Sequence, residues 1–297
     1  MTAKTSMSVR FWGVRGSIAC PGASTARYGG NTSCVEVQCG ERVLIFDAGT
    51  GLRELGKALA SRPAVETNIL LSHCHFDHIC GLPFFAPCYV PGNRVQLWAG
   101  NLLPDFTLAQ VIRQMMAPPL FPIADDALKA EIAFRDFRAG ETLAPVDGVT
   151  VRTIALNHPN GATGYRLEFE GCAVAYITDN EPTSDGPDPA LAAFLSDVDV
   201  LIYDCTYTDT ELRAHVGWGH SSWQQGLSLA DAANAKTFCL FHHDPDHDDA
   251  TLDRIAAEVG ALRKGALVAR EGLVLQVRAS GGLSAPRRMG FSWLTRR

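Results

Sequence analysis

The sequence contains no run of eighteen apolar residues, and its first residues lack the apolar core of a secretion signal. Such segments are what a membrane span or a cleaved leader requires. The nine cysteines are scattered, mostly within apolar runs, and form no CxxC pair. This spacing is typical of reduced, buried thiols and argues against a disulfide framework. We therefore expect a soluble, cytoplasmic protein with no membrane partner and no structural disulfides.

Positive charge is also scarce. The 297 residues carry 26 Lys and Arg against 32 Asp and Glu, which gives a formal net charge of −6. A large electropositive surface for long nucleic acid is therefore not expected. A small anionic substrate remains compatible with this charge, because metal ions can invert the local field of a cleft.

No fixed-period repeat or low-complexity segment is evident, and a hydrophobic content of 46% is sufficient for one large core. We predict a disordered N-terminus over residues 1–8, a single domain over residues 9–280 and a basic C-terminal tail over residues 281–297. The tail contains four arginines: Arg287, Arg288, Arg296 and Arg297. We interpret it as a solvated terminus with no part in function.

Short apolar segments bounded by turn residues predict strands in two series. The first series covers residues 9–12, 32–39, 43–47, 68–71 and 94–98, and the second covers 149–157, 164–170, 173–178, 198–204, 237–241 and 273–277. Apolar residues at helical spacing predict helices after residue 51 and over 103–116, 188–196, 222–235 and 248–260. This order predicts an α/β fold of two mixed sheets stacked face to face with helices outside, a four-layered αββα sandwich.

The most informative segment is His73-Cys-His-Phe-Asp-His78, which follows a short apolar strand. In an extended chain, residues i, i+2 and i+4 share a face, so His73, His75 and Asp77 point one way and His78 can swing toward them. Such imidazole and carboxylate ligands suit two neighbouring divalent ions, zinc first, with manganese or iron on the same donors as alternatives. Purely structural histidines would leave this concentration of metal-competent groups unexplained.

The segment matches the HxHxDH signature of the metallo-β-lactamase superfamily, and three later strands end in residues that resemble its remaining ligands. They are His158, Asp179 and His242. This resemblance implies the metallo-β-lactamase fold and two divalent metal ions. One ion would be held by His73, His75 and His158, and the other by Asp77, His78 and His242, with Asp179 as the bridge. His243 competes with His242 because adjacent residues face opposite ways, and we choose His242 because Leu-Phe-His resembles the family pattern.

Two further segments resemble motifs of the phosphodiesterase and ribonuclease Z-like branch of the superfamily. Tyr203-Asp-Cys-Thr206 supplies Asp204, and Gly219-His-Ser-Ser222 supplies His220. The resemblance implies that a metal-bridging hydroxide, oriented by Asp77, attacks phosphorus while His220, positioned by Asp204, protonates the leaving oxygen. Aspartate replaces the commoner glutamate of this branch, so the reach of the pair is shorter.

The glycine-rich segments at residues 11–17 and 27–33 resemble the first loop of phosphodiesterases of this branch. Arg15, Arg27 and Asn31 are therefore candidate substrate-binding residues, since glycines allow a ligand to approach the backbone and arginine suits phosphate. A tight loop with solvated arginines fits the same segments equally well.

The tRNA-processing relatives carry a long arm between the third histidine motif and the bridging aspartate, whereas a single hairpin joins His158 to Asp179 here. Together with the negative charge, this predicts hydrolysis of a small phosphodiester, with a cyclic nucleotide as one candidate. An acyl hydrolase of the glyoxalase II or lactonase type is the alternative on the same ligands, and a non-enzymatic metal-binding module is a third.

Other superfamily branches differ at ligand positions. Zinc β-lactamases have a cysteine at the position of Asp179, and flavo-diiron proteins have a glutamate at the position of His75, so both are disfavoured. Cys74 and Cys80 are interpreted as buried packing residues and not as extra ligands. A homodimer is suggested by analogy alone, and the natural substrate, the physiological metal and the oligomeric state stay open.

Overall fold

The computed structural model describes residues 7–278 except 63, 124, 184 and 185. Its first sheet has seven strands in the order β14-β1-β2-β3-β4-β5-β6. Their bounds are β1 Met7–Gly13, β2 Cys34–Cys39, β3 Arg42–Phe46, β4 Glu66–Leu71, β5 Arg94–Ala99, β6 Glu131–Asp136 and β14 Val274–Val277. The strands from β14 to β3 pair antiparallel, and those from β3 to β6 pair parallel.

The second sheet repeats this plan in the order β13-β12-β11-β10-β9-β8-β7. Its strands are β7 Thr142–Leu143, β8 Thr150–Leu156, β9 Ala162–Phe169, β10 Cys172–Ile177, β11 Val200–Asp204, β12 Thr237–Phe241 and β13 Ala266–Val268. The strands from β7 to β10 are antiparallel, and those from β10 to β13 are parallel. Parallel pairs require crossover connections, and helices make most of them.

The described residues form seven α-helices, which are α1 Gly51–Leu59, α2 Phe76–Ile79, α3 Leu108–Met115, α4 Pro189–Phe194, α5 Asp209–Leu212, α6 Trp223–Ala232 and α7 Asp249–Leu262. Local chemistry fixes where several of them begin. Thr107 and Ser222 form capping boxes with Gln110 and Gln225 at the starts of α3 and α6. Asp248 caps α7 by accepting a hydrogen bond from the backbone amide of Thr251.

Three apolar clusters hold the four layers together. The inner cluster lies between the sheets, where the ring of Phe46 from β3 stacks on Tyr165 and Tyr176 of the second sheet at centroid distances of 5.4 and 5.0 Å. One outer cluster joins the first sheet to α1 and α3 through residues such as Leu52 and Ile112. The other joins the second sheet to α4, α6 and α7. The predicted αββα sandwich of two mixed sheets is confirmed.

The structure departs from the sequence expectation in a few elements. Strand β1 begins at the buried Met7, so residues 7 and 8 belong to the folded part and not to a disordered N-terminus. Helix α3 begins at Leu108, five residues later than expected, because Thr107 is its N-cap. Strands β6, β7 and β13 were not predicted; β6 is a largely half-exposed edge strand with little alternation. The predicted tail at 281–297 and residues 1–6 lie outside the described residues.

No helix in the described part of the chain combines the length and the apolarity needed to cross a membrane. All nine cysteines are free thiols, and six of them are buried.

Candidate metal centre

The predicted ligands meet at one edge of the two sheets, because strands that run in the same direction end side by side. His73 follows β4, His158 follows β8, Asp179 follows β10 and His242 follows β12. Asp77 and His78 lie in the short helix α2 that continues from His75. Histidine and aspartate side chains from both sheets therefore form one cluster, and all seven predicted ligands are in it.

Three strand ends around the cluster have an unusual backbone. Asp47, Asp179 and His242, which follow β3, β10 and β12, adopt positive φ values of 59°, 57° and 59°. Side chains other than glycine rarely adopt this left-handed conformation, and holding it costs about 1–3 kcal/mol per residue. All three are buried, so the surrounding packing maintains the strained turns that aim these side chains.

The first group of ligand atoms belongs to His73, His75 and His158, and we call it the open half because His75 is partly exposed. Nδ1 of His75 lies 3.1 Å from Nε2 of His158, and the three imidazole rings are within 4.4–4.9 Å of one another. Burial lowers the pKa of His73 and of His158. Both rings are thus kept in the neutral form that binds metal.

The second group belongs to Asp77, His78 and His242, and we call it the buried half because all three are buried. Oδ2 of Asp77 lies 3.1 Å from Nε2 of His78 and 3.5 Å from Nε2 of His242. Burial disfavours a charge on His78, yet the carboxylates of Asp77, Asp179 and Asp47 raise its pKa well above the ordinary value. The pocket therefore attracts positive charge.

Asp179 lies between the two halves and gives one oxygen to each. Its Oδ1 is 3.8 Å from Nε2 of His73 and 3.7 Å from Nε2 of His158. Its Oδ2 is 3.3 Å from Nε2 of His78 and 3.4 Å from Nε2 of His242. Burial opposes ionisation of Asp179, but the imidazoles of His242, His78 and His73 hold its pKa well below the usual range.

Unpartnered atoms show that the cluster suits divalent cations. Nε2 of His73, His78 and His242 is buried and has no hydrogen-bond partner among the described residues. Among the ion pairs of the described chain, the buried carboxylates of Asp77 and Asp179 face only histidines and no Lys or Arg. Buried orphan nitrogens and uncompensated carboxylates that converge on one space are costly without a cation. The donor set fits divalent metal ions.

The other nitrogen of each imidazole is held by a second residue, which sets the ring orientation. The Asp47 carboxylate accepts a hydrogen bond from Nδ1 of His78 at 2.7 Å and another from the hydroxyl of Ser72. Thr206 contacts Nδ1 of His242 at 2.9 Å, and the carbonyl of Gly219 accepts from Nδ1 of His158 at 2.8 Å.

Sequence reasoning did not identify these residues as part of the site. The one available signal was Asp47, an aspartate at the end of an apolar strand.

The open half has a corresponding contact that is exposed to solvent. There, Oδ1 of Asn160 lies 3.2 Å from Nε2 of His75.

The segment after β1 supports the buried half through its backbone. The amide of Ser17 donates to Oδ2 of Asp77 at 2.8 Å. A Cβ added at Gly16 would lie 2.3 Å from the ring of His242, so only glycine fits there. The amide of Gly16 also donates to the carbonyl of His243 at 3.0 Å. These contacts fix Asp77 and His242 relative to each other.

His220 and Asp204, expected as a catalytic pair, lie at the margin of the cluster. Nδ1 of His220 is 3.0 Å from Oδ2 of the fully buried Asp204, and the imidazole ring is 5.0 Å from that of His242. Burial alone would lower the pKa of His220, but the Asp204 carboxylate raises it to about 9. The pair can thus present a protonated imidazole to the space beside the ligands.

The candidate substrate residues have other partners. Arg15 is not a solvated loop arginine, because its side chain is fully buried and its guanidinium donates to the carbonyls of Gly29, Asp244 and His247. Its contact with a phosphate stays a prediction. Arg27 is exposed and pairs with Asp253 of α7 at 2.7 Å. Asn31 uses both ends of its amide, on Glu271 and Thr50. None of the three contacts a candidate ligand in the hydrogen bonds of the described chain.

His243 and the two motif cysteines lie apart from the cluster. Burial lowers the pKa of His243 to about 3, and its Nε2 contacts the carbonyl of Ala269 at 2.8 Å, so the ring points away from the ligands. Cys74 and Cys80 are half-buried and join no group of potential ligands in the described residues. Burial raises the pKa of the Cys74 thiol to about 12, which disfavours the thiolate that metals bind.

An αββα sandwich with a His/Asp cluster at one edge of both sheets is the architecture of a metal-binding protein. Residues 42–243 match the family model of the beta-lactamase superfamily domain, and the chain belongs to this superfamily.

Curated relatives and solved structures agree with this assignment. Ribonuclease BN of Cronobacter sakazakii is 24% identical in an alignment that covers 78% of this chain and 89% of the relative. Ribonuclease Z of Picrophilus torridus is 24% identical and covers 92% and 96% of the two chains. A diphosphatase of the PhnP family shares the fold with a TM-score of 0.68 at 20% identity, covering 91% of this chain and 97% of its own.

Proposed function

We propose that this protein is a metal-dependent phosphodiesterase with a dinuclear centre, acting on a small phosphodiester. The observation that carries the proposal is the buried His220–Asp204 pair beside the potential metal ligands. Six of these ligands form two groups of three, and the seventh, Asp179, lies between the groups. The segments that supply this pair resemble motifs of the phosphodiesterase and ribonuclease Z-like branch, which favours phosphodiester over acyl chemistry. A general acid assists the expulsion of an alkoxide from phosphorus.

Two metal ions are supported by how Asp179 divides its oxygens between the open and buried halves. Zinc suits the set of imidazoles and carboxylates, and manganese or iron can use the same donors. Two divalent cations held there would neutralise phosphoryl oxygens and lower the pKa of an attacking water toward about 7.

The chain's own residues would complete the reaction. Asp77 has one oxygen fixed by the amide of Ser17 and directed toward His78 and His242, so it can also orient the attacking water. His220 would donate the proton at its ring to the departing oxygen, and Asp204 would hold that ring in place and stabilise its charged form. A correctly placed general acid contributes about 10²–10⁴-fold to the rate.

The small size of the substrate is supported by the connection between His158 and Asp179. Strands β9 and β10 form a tight hairpin whose two turn residues, Glu170 and Gly171, both have positive φ. No arm that could grip a large RNA occurs in this part of the chain, and the formal charge is −6. The relatives named as ribonucleases support phosphodiester chemistry, and a cyclic nucleotide is a suitable small substrate to test.

The test is hydrolysis of a panel on protein of measured metal content. The panel contains 2′,3′- and 3′,5′-cyclic nucleotides, bis(p-nitrophenyl) phosphate, a thioester and a lactone. Turnover of a phosphodiester that a chelator abolishes and zinc restores is the expected result. Turnover of the thioester or lactone alone would instead assign an acyl hydrolase of the glyoxalase II or lactonase type to the same ligands.

A further inference from the structure

The loop before His220 presents a tryptophan to solvent beside the metal centre. Trp218 is 61% exposed and its neighbour Val216 is 72% exposed. A large aromatic side chain that stays in water loses the free energy it would gain by burial, and aromatic residues of this kind are enriched where a ligand covers them.

Trp218 lies close to the reacting groups. Gly219, the next residue, packs so tightly on the imidazole of His158 that an added Cβ would lie 2.2 Å from its Nδ1. Consecutive Cα atoms are about 3.8 Å apart, so the Cα of Trp218 is within about 7.6 Å of that of His220. The proposed proton donor and the exposed indole are thus on the same short segment.

The segment is held in place before any ligand binds. The carboxylate of Glu181 accepts hydrogen bonds from the backbone amides of Gly217 and Gly219 at 2.7–3.0 Å. The ring of His215 stacks on Tyr207 at 4.4 Å and contacts the indole of Trp218 edge-on at 4.8 Å. A preorganised aromatic surface loses little entropy when it binds a flat partner.

The two arginines of the first loop already have partners within the protein. Arg15 is buried on backbone carbonyls, and Arg27 is paired with Asp253. Beyond the metal ligands, an exposed aromatic face is thus better placed than these arginines to recognise the group attached to phosphorus. Aromatic stacking accepts every nucleobase, because each one has a π face.

We propose that Trp218 is a stacking platform for an aromatic base on the substrate, so that the preferred substrates are nucleotide phosphodiesters and not simple alkyl or sugar phosphodiesters. This proposal rests on the proposed function, because it places the base beside the leaving group that His220 protonates. It assigns to Trp218 a role in binding and none in bond cleavage.

Equilibrium binding tests the platform without requiring turnover. Titration calorimetry would compare adenosine 5′-monophosphate with ribose 5-phosphate, which has the same phosphate and sugar but no base, on the metal-loaded protein. We expect the wild-type protein to bind the nucleotide at least about fivefold more tightly, since stacking of one base is worth that factor or more. Trp218→Ala should abolish this preference and leave ribose 5-phosphate binding unchanged.

Two variants serve as controls. Trp218→Phe keeps an aromatic face and should retain most of the preference, which distinguishes stacking from a loss of folding. Leu262→Ala removes another exposed apolar side chain, on α7, and should have no effect. A wild-type protein with no preference for the nucleotide, or a preference that survives in Trp218→Ala, would overturn the proposal. Because binding is measured, this result is independent of whether the protein hydrolyses diesters.

Discussion

The two halves of the metal centre differ in how they are enclosed. In the buried half, Asp77, His78 and His242 are covered by the segment after β1 and fixed by Ser17, Asp47 and Thr206. In the open half, His75 is partly exposed, and its Nε2 contacts the exposed Asn160.

This difference suggests a division of labour within one centre. The buried half is set by strained backbone and close packing, which favours firm metal binding. The open half adjoins the loop with His220 and Trp218, which favours access of substrate. Substitution of a residue that acts on both halves should therefore reduce metal binding and turnover most. Substitution of a residue that acts on the open half alone should reduce them least.

The largest effect is expected from Asp179→Asn, because the amide cannot offer a charged oxygen to each half. Metal content should fall below that of the wild type, and phosphodiester turnover should fall by more than the ~10⁴-fold upper range of a lost general acid. Metal analysis and initial rates on bis(p-nitrophenyl) phosphate measure both. Full metal content with wild-type rates would rule out Asp179 as a shared ligand.

The next effect is expected from His220→Ala, which leaves the ligands in place and removes the proton donor. Turnover of a diester with an alkoxide leaving group should fall by about 10²–10⁴-fold. Loss on a nitrophenyl diester should be much smaller, because nitrophenolate needs little protonation. Metal content should not change, and equal losses on both substrates would contradict the general-acid role.

A paired comparison of Asp47→Asn with Asn160→Ala contrasts the two halves directly. Asp47 holds His78 and Ser72 in the buried half, and such outer partners are typically worth about 10–100-fold in metal affinity or activity. Asn160 is exposed, so its loss should cost less than tenfold in the same measurements. Zinc affinity by chelator competition would show the difference, and an equal or reversed order would break the comparison.

Of the two buried-half variants Asp47→Asn and Gly16→Ala, the smaller effect is expected from Gly16→Ala. Its Cβ would meet the ring of His242 at 2.3 Å, so the ring must shift and zinc affinity should fall by about tenfold, the low end for outer contacts. Gly260→Ala is the matched control, because nothing lies within 4 Å of its added Cβ. Unchanged zinc affinity in Gly16→Ala would show that the segment after β1 does not constrain His242.

The fold and the first ligands could be predicted from the sequence because both depend on patterns within short segments. Alternating apolar strands and helical spacing predict the layers, and HCHFDH concentrates four potential ligands in six residues. The later ligands His158, Asp179 and His242 were predicted from the resemblance to the superfamily, whose ligands follow apolar strands. The two sheets bring the ends of these strands together.

What the sequence did not predict depends on contacts between distant parts of the chain. Arg15 reads as a loop arginine, yet its acceptors are the carbonyls of Asp244 and His247, 229 and 232 residues away. The sequence around Asp47 predicts only that a strand ends there. Its role in the site depends on the neighbouring strand β4, after which Ser72 and His78 lie against its carboxylate. Neither the burial of Arg15 nor the contacts of Asp47 can be predicted from the residues next to it in the sequence.

The most direct test of a dinuclear phosphodiesterase is metal content and diester hydrolysis measured on the same preparation as zinc is added back to chelator-treated protein. We predict that turnover of a cyclic nucleotide or of bis(p-nitrophenyl) phosphate rises with bound zinc and reaches its maximum near two ions per chain. Maximal turnover at one ion, or hydrolysis confined to the thioester and lactone, would contradict this assignment.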